Sequence, residues 1–208
     1  MFNSSNLSQI VRAIHSSGVP DNQMEVEAKF GYYTRRGFNS KVDFRNFDSL
    51  RRTLKKSLPS AKEYTRDYRS NTGIRKQIIS APGQEDKVIW QGKTRLRNFD
   101  QGQFRDYGVR VSINSEFPIE PIEDFVYDVI RIRNRTTFYF NDMRIDMTEV
   151  DHQSYQYERN ADYVQRRLPT YEVEIEIIDP KINTSEKIIQ FNQLLKKVYM
   201  ELYHTELL

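Results

Sequence analysis

Four short runs of charged residues carry the chemistry of this chain. Met24-Glu25-Val26-Glu27-Ala28-Lys29-Phe30 alternates strictly between charged and apolar side chains. As a strand it sets Glu25, Glu27 and Lys29 on one face and Val26, Ala28 and Phe30 on the other. Tyr171-Glu172-Val173-Glu174-Ile175-Glu176-Ile177 repeats the pattern with three glutamates on one face. A single strand of this kind reads as amphipathic, with its polar side in water. For the pair, energetics weaken that reading. Glutamates two residues apart lie about 7 Å apart on a strand. At an effective dielectric of ~20 each neighbouring pair repels by roughly 2.4 kcal/mol before salt screening. Glu is also a poor strand former. Two such ladders at opposite ends of a sequence are stabilised by a shared divalent cation, and Mg²⁺ or Mn²⁺ takes carboxylate oxygens.

The other two runs have the opposite sign. Arg131, Arg133 and Arg135 share one face of Ile130–Thr136, and Lys93, Arg95 and Arg97 share one face of Gly92–Arg97. Arg75 and Arg110 stand in two further alternating segments. Taken singly, each is compatible with a solvated face. Together they put cations on strands that would face the carboxylate strands in a closed barrel. A lumen lined by both signs is costly unless it holds a multiply charged anion and a metal, and polyphosphate with Mg²⁺ or Mn²⁺ fits.

The elements that must position these residues are legible from periodicity. Leu7, Ile10, Val11 and Ile14 predict a helix over 5–17, ended near Gly18 and Pro20. Phe47, Leu50, Leu54 and Leu58 predict a second over 44–58, stopped by Pro59, with Arg51, Arg52, Lys55 and Lys56 off its apolar side. Ile188, Phe191, Leu195, Val198 and Leu202 predict a third over 185–202, with Asn183 and Glu186 resembling a cap. Between them the period is two. Strands are expected over 24–33, 62–69, 73–80, 87–99 with a break at Gly92, 107–114, 127–140, 143–150 and 171–178, with Asn141-Asp142 as a hairpin turn. The loop candidates are 102–108 and 117–125. About eight strands with flanking helices make an α+β protein built on an antiparallel β-barrel or a strongly curved sheet. Neither a repeat nor an interdomain linker divides the 208 residues, so one domain is expected over 1–208.

Composition removes other chemistries. Lys and Arg number 32 against 29 Asp and Glu, so the net charge is +3 although 29% of residues are charged. Without a cysteine there is no disulfide framework, thiolate zinc site or thiol nucleophile. No apolar run approaches a membrane span, and MFNSSNLSQI lacks the basic start and apolar stretch of a secretory signal. Thirteen Tyr, 12 Phe and one Trp argue against disorder. His15, His152 and His204 have no ligand spacing. The chain also lacks a Walker A loop, which excludes the P-loop route to phosphate chemistry.

The order of the motifs is more specific than any one of them. Glu25-Val26-Glu27-Ala28-Lys29 is an ExExK pattern and Glu172-Val173-Glu174-Ile175-Glu176 an ExExE pattern; between them lie Arg131–Thr136 and Met143-Arg144-Ile145-Asp146-Met147-Thr148-Glu149. This order, over roughly residues 22 to 180, resembles the triphosphate tunnel metalloenzymes. Within them it resembles the metal-dependent RNA 5′-triphosphatases of fungal, protozoal and large DNA virus mRNA capping. The compact size suggests a giant-virus capping enzyme domain, mimivirus-like, with guanylyltransferase and methyltransferase domains covalently linked as partners. A host-cytoplasmic or virion location would follow.

The resemblance implies a role for each matching residue. Glu25, Glu27, Glu174 and Glu176 would bind Mg²⁺ or Mn²⁺, with Glu172 at the same face. Lys29 would contact phosphate or hold a carboxylate. Arg133 and Arg135, with Arg131, would bind the triphosphate, and Asp146 and Thr148 would be the lumen pair of the next strand, acting as orienting residues. Glu116 would activate water; Arg75, Lys93 and Arg110 would bind phosphate, and Asp67 would be an outer carboxylate. The implied activity is removal of the γ-phosphate from 5′-triphosphate RNA, the first step of capping, together with NTP hydrolysis. The alternatives are a tripolyphosphatase or another triphosphate hydrolase of the same superfamily, a non-catalytic RNA-binding barrel, and a glycosidase-type carboxylate pair. The last leaves the basic ladders unexplained.

Overall fold

A computed structural model describes residues 2–102, 107–158, 161–166, 168–178 and 185–203; for 152–158 and 161–166 it describes the backbone alone. The alternating segments form β1 (Met24–Thr34), β2 (Gly37–Asn39), β3 (Ser60–Arg69), β4 (Ile74–Ser80), β5 (Lys87–Gln101), β6 (Tyr107–Pro118), β7 (Val129–Phe140), β8 (Met143–Glu158), β9 (Ala161–Arg166) and β10 (Thr170–Ile177). All pairings are antiparallel, in the order β10-β1-β6-β5-β4-β3-β7-β8. β10 also pairs with β8, so these eight strands close into a barrel. β2 extends β1 and β9 extends β8, outside the closed ring.

Three helices lie against one side: α1 (Ser4–His15), α2 (Phe44–Ser57) and α3 (Ser185–Tyr203). Asn3 caps α1 by accepting from the Asn6 amide at 3.0 Å, and Asp43 caps α2 by accepting from Arg45 at 2.8 Å. Asn183, expected to cap α3, lies outside the described residues, as does His204. The apolar core sits outside the barrel, not within it. Val26, Ala28, Phe30, Val111, Ile113, Ile145, Val173 and Ile175 turn outward to meet Ile10, Ile14, Phe47, Leu50, Ile188, Phe191 and Leu195. Strand alternation therefore drives the charged partner of each apolar residue into the lumen.

Two features of β5 depart from the sequence reading. β5 runs unbroken through Gly92, whose missing side chain leaves room for the Phe117 ring; a Cβ there would lie 2.4 Å from that ring. A bulge then falls between Arg95 and Arg97: Arg95 pairs with Asn114, but Arg97 pairs with Ile113. Leu96 is the extra residue. Arg97 therefore faces outward, over the Phe99 ring at 5.3 Å, and does not share a face with Lys93 and Arg95. At the β7–β8 hairpin, Asn141 takes the positive φ (51°) that the Asn-Asp turn requires.

Candidate active site

Register brings the acidic ladders together. Glu27 lies directly across from Glu176, and Lys29 across from Glu174. Around the wall, β8 and β7 set Arg144, Asp146 and Thr148 beside β10 and Arg131, Arg133 and Arg135 beyond them. The enclosed cavity has a volume of about 300 Å³. Its lining holds nine cations (Lys29, Arg69, Arg75, Lys93, Arg95, Arg131, Arg133, Arg135, Arg144) against seven acids (Glu25, Glu27, Glu63, Glu116, Glu172, Glu174, Glu176). Asp67 and Asp146, buried behind this lining, pair with Arg69, Arg135 and Arg144 and balance the difference.

Each acid closes on a cation. Glu174 accepts from Lys29 Nζ at 2.7 Å, Glu172 from Arg131 at 2.6 Å and Glu176 from Arg144 at 2.7 Å. Lys93 bonds Glu25 and lies 2.9 Å from Glu116, which also faces Arg75 at 3.6 Å. Asn114 donates its amide to Glu25 at 2.7 Å and to Glu27 at 3.0 Å, fixing the spacing of that pair. Burial alone would raise the Glu174 carboxyl, but Lys29 and Arg135 outweigh it and hold it well below the usual range. Burial would likewise lower the Lys29 ammonium, yet Glu174 and Glu27 raise it. Glu176 behaves differently. Burial pushes it up to about 8, and Glu25 and Asp146 add to that against the pull of Arg144. Among the described residues no three carboxylates are already gathered as a metal cluster.

The basic wall is under-compensated. Arg133 is buried, and its nearest carboxylate, Asp67, is 3.9 Å away. Burial, reinforced by Arg135, Arg69 and Arg131, lowers its guanidinium to about 10. The Nε atoms of Arg133 and Arg131 find no hydrogen-bond partner among the described residues. Asp67 is held by Arg69 at 2.5 Å, so it already has a cation of its own.

Glu25, Glu27, Lys29, Arg75, Lys93, Glu116, Arg131, Arg133, Arg135, Glu172, Glu174 and Glu176 line one cavity. Three sequence assignments are placed elsewhere. Arg110 does not line that cavity: Asp100 forks its guanidinium at 2.7 and 2.9 Å, and the Phe38 ring covers it at 4.9 Å. Asp146 and Thr148 stand behind the arginines. Asp146 is 3.0 Å from Arg135 and 3.2 Å from Arg144 and accepts from Thr137; Thr148 accepts from Arg135 Nε. They aim those guanidinium groups and do not touch the cavity. Sequence reading passed over Arg144, Arg69, Glu63 and Asn114. The parity of β8, β3 and β6 would have found them, since each shares a face with a residue already singled out.

The described fold and known proteins agree. Residues 104–204 match the family of the mRNA capping enzyme beta chain. The RNA triphosphatase Pct1 of S. pombe superposes with a TM-score of 0.69 at 13% identity, covering 97% of this chain and 93% of that one. The chain has the tunnel fold of that triphosphatase. The mimivirus capping enzyme triphosphatase superposes with a TM-score of 0.65 at 13% identity, over 97% of this chain and 99% of the other. At such identities the structural likeness speaks for the tunnel fold. Among curated protein sequences none matches.

Proposed function

We propose that this tunnel hydrolyses the γ-phosphate of 5′-triphosphate RNA, giving 5′-diphosphate RNA and inorganic phosphate, as the first step of mRNA cap formation. One observation carries the reading: a cavity of about 300 Å³ with more cations than acids, into which Arg133 brings a buried, under-compensated guanidinium. Such a group needs an anion rich in oxygens.

The donor set fits a hard divalent cation. Glu25, Glu27 and Glu176 offer only oxygens, and two of them, Glu27 and Glu176, face each other across the β1–β10 pairing. Glu174 stands one step further along, tethered by Lys29. Mg²⁺ or Mn²⁺ bound there would supply Lewis-acid charge neutralisation. The chain's own residues do the rest. Arg131, Arg133, Arg135, Arg75 and Lys93 neutralise the phosphate oxygens as charge shifts in a loose transition state. Glu116, beside Lys93 and Arg75 in the cavity wall, takes a proton from the water whose oxygen attacks the γ-phosphorus. The bond to the β–γ bridging oxygen breaks, and the RNA leaves as a diphosphate. Lys93 and Lys29 now neutralise carboxylates; in turnover they can turn to phosphate.

The test is phosphate release from triphosphate-ended RNA with Mg²⁺ or Mn²⁺. Glu27→Ala and Glu176→Ala are each expected to lower the rate by at least about a hundredfold, the upper end of what even outer-shell metal partners cost. Wild-type rates in both would overturn the site. Linked guanylyltransferase and methyltransferase domains belong to the same proposal; a solved relative is described as a trifunctional mimivirus capping enzyme.

A further inference from the structure

The proposed lumen site engages the triphosphate and assigns no surface to the nucleotides that follow it. Outside the barrel, a second cleft of about 530 Å³ runs between α2 and the outer face of β3, β7 and β8. Lys55 from the last turn of α2, Lys62 and Tyr64 from β3, and Asn134 from β7 line it, and all four are exposed. Among the described residues Lys55 and Lys62 make no ion pair, and the Tyr64 ring makes no hydrogen bond or ring contact. Arg51 adds a third cation, held by Asp48 at 2.6 Å.

The acids in this cleft are too few to neutralise it. Glu149 and Glu63 are the acids that line it, and Glu63 pairs with Arg135 at 3.7 Å. Glu63 and Arg135 line the tunnel cavity as well as the cleft, so the two spaces share one piece of wall. Unpaired ammonium groups beside an open aromatic ring and a side-chain amide are what a single-stranded nucleic acid requires of a surface. Ammonium groups meet the backbone charge, and the ring offers a face to any base.

We infer that this cleft holds the nucleotides that follow the 5′-triphosphate of the RNA substrate. Lys55 and Lys62 take backbone phosphates and Tyr64 stacks on a base. The inference rests on the triphosphatase reading of the tunnel and adds what that reading lacks, a means of preferring RNA to a bare polyphosphate.

The experiment compares a triphosphate-ended oligoribonucleotide of about ten nucleotides, a length within single-strand site sizes, with inorganic tripolyphosphate. A Lys55→Glu/Lys62→Glu variant is expected to raise KM for the oligonucleotide about tenfold or more with kcat unchanged. Its constants for tripolyphosphate should stay at wild type. The milder Lys55→Ala/Lys62→Ala pair should lower the salt slope of RNA binding by about 1.4, two contacts at ~0.7 each. Tyr64→Ala should weaken RNA binding about fivefold or more. An unchanged KM for RNA, or equal losses on both substrates, would overturn the cleft. Binding of a 5′-hydroxyl RNA, followed by fluorescence anisotropy, separates the two readings. Its loss in the lysine variants supports the cleft even if the wild type releases no phosphate, a result that would count against the tunnel alone. Unchanged 5′-hydroxyl RNA binding, with binding of an acidic peptide lost instead, would assign the cleft to a protein partner and overturn the inference.

Discussion

Arg133 shows most clearly what the lumen costs the fold. It is buried among three other arginines and held at a lowered pKa of about 10. A buried charge so poorly paired costs the fold free energy that an apolar group of similar volume would not. Arg133→Met is therefore expected to keep or raise Tm while lowering phosphate release by about 10²–10³, the usual effect of losing one charge-stabilising donor. A Tm drop of many degrees would show that the residue serves stability. Asp67 is the converse case. Burial would raise its carboxyl, but Arg69 and Arg133 hold it below the usual range. A depressed carboxylate contributes stability above its unfolded value, near 3.9, and loses it as pH falls through the folded value. Asp67→Asn leaves Arg69 and Arg133 without their shared carboxylate and should cost about 3–5 kcal/mol at pH 7, as breaking a buried pair does. The gap between variant and wild type should close in acid melts below about pH 4. A gap independent of pH would remove the electrostatic account.

At the scale of elements, alternation explains both what the sequence disclosed and what it hid. The strands bearing Glu25, Glu174 and Arg133 could be read because each apolar residue has a charged neighbour, and burial of one face fixes the direction of the other. The bulge at Leu96 defeats that logic, since one extra residue reverses parity and carries Arg97 outside. β2 was not foreseen, for three residues show no period; its place is fixed by Gly31 instead. A Cβ on Gly31 would lie 2.0 Å from the Asn39 carbonyl oxygen, so the β1–β2 ribbon depends on that close approach. Gly31→Ala should destabilise by about 1–3 kcal/mol, the range for overpacking. That corresponds to a fall in Tm of roughly 2–4 °C per kcal/mol. Unchanged melting would mean that the ribbon is free to move aside. Arg110 is a different failure: its parity is right, but Asp100 claims it and it does not line the cavity. Position along a strand axis is set by barrel stagger, which one strand's sequence does not display.

For the whole molecule, a net charge of +3 conceals a lumen surface that presents nine cations and seven acids, with Asp67 and Asp146 buried behind the arginines. A polyanion that enters it should stabilise the folded chain and have no such site in the unfolded one. Tripolyphosphate with Mg²⁺ at a hundred times its Kd is expected to add about 2.7 kcal/mol. Differential scanning fluorimetry would register this as several degrees, and Arg133→Met should abolish the shift. No shift in the wild type would argue against a phosphate-binding lumen.

The closure of β10 onto both β1 and β8 has a consequence for how the protein comes into being. β1 and β10 are separated by most of the chain, and the facing pair Glu27 and Glu176 exists only after that long loop has closed. On a ribosome, where the chain emerges from its N-terminus, a nascent chain that has not yet exposed β10 has an open edge on each side of the gap and half an acidic ladder. Its mutual repulsion has no partner strand to share. The last barrel strand to be synthesised therefore ends both vulnerabilities in one event, and the facing acidic pair arrives all at once, late, with the final seam.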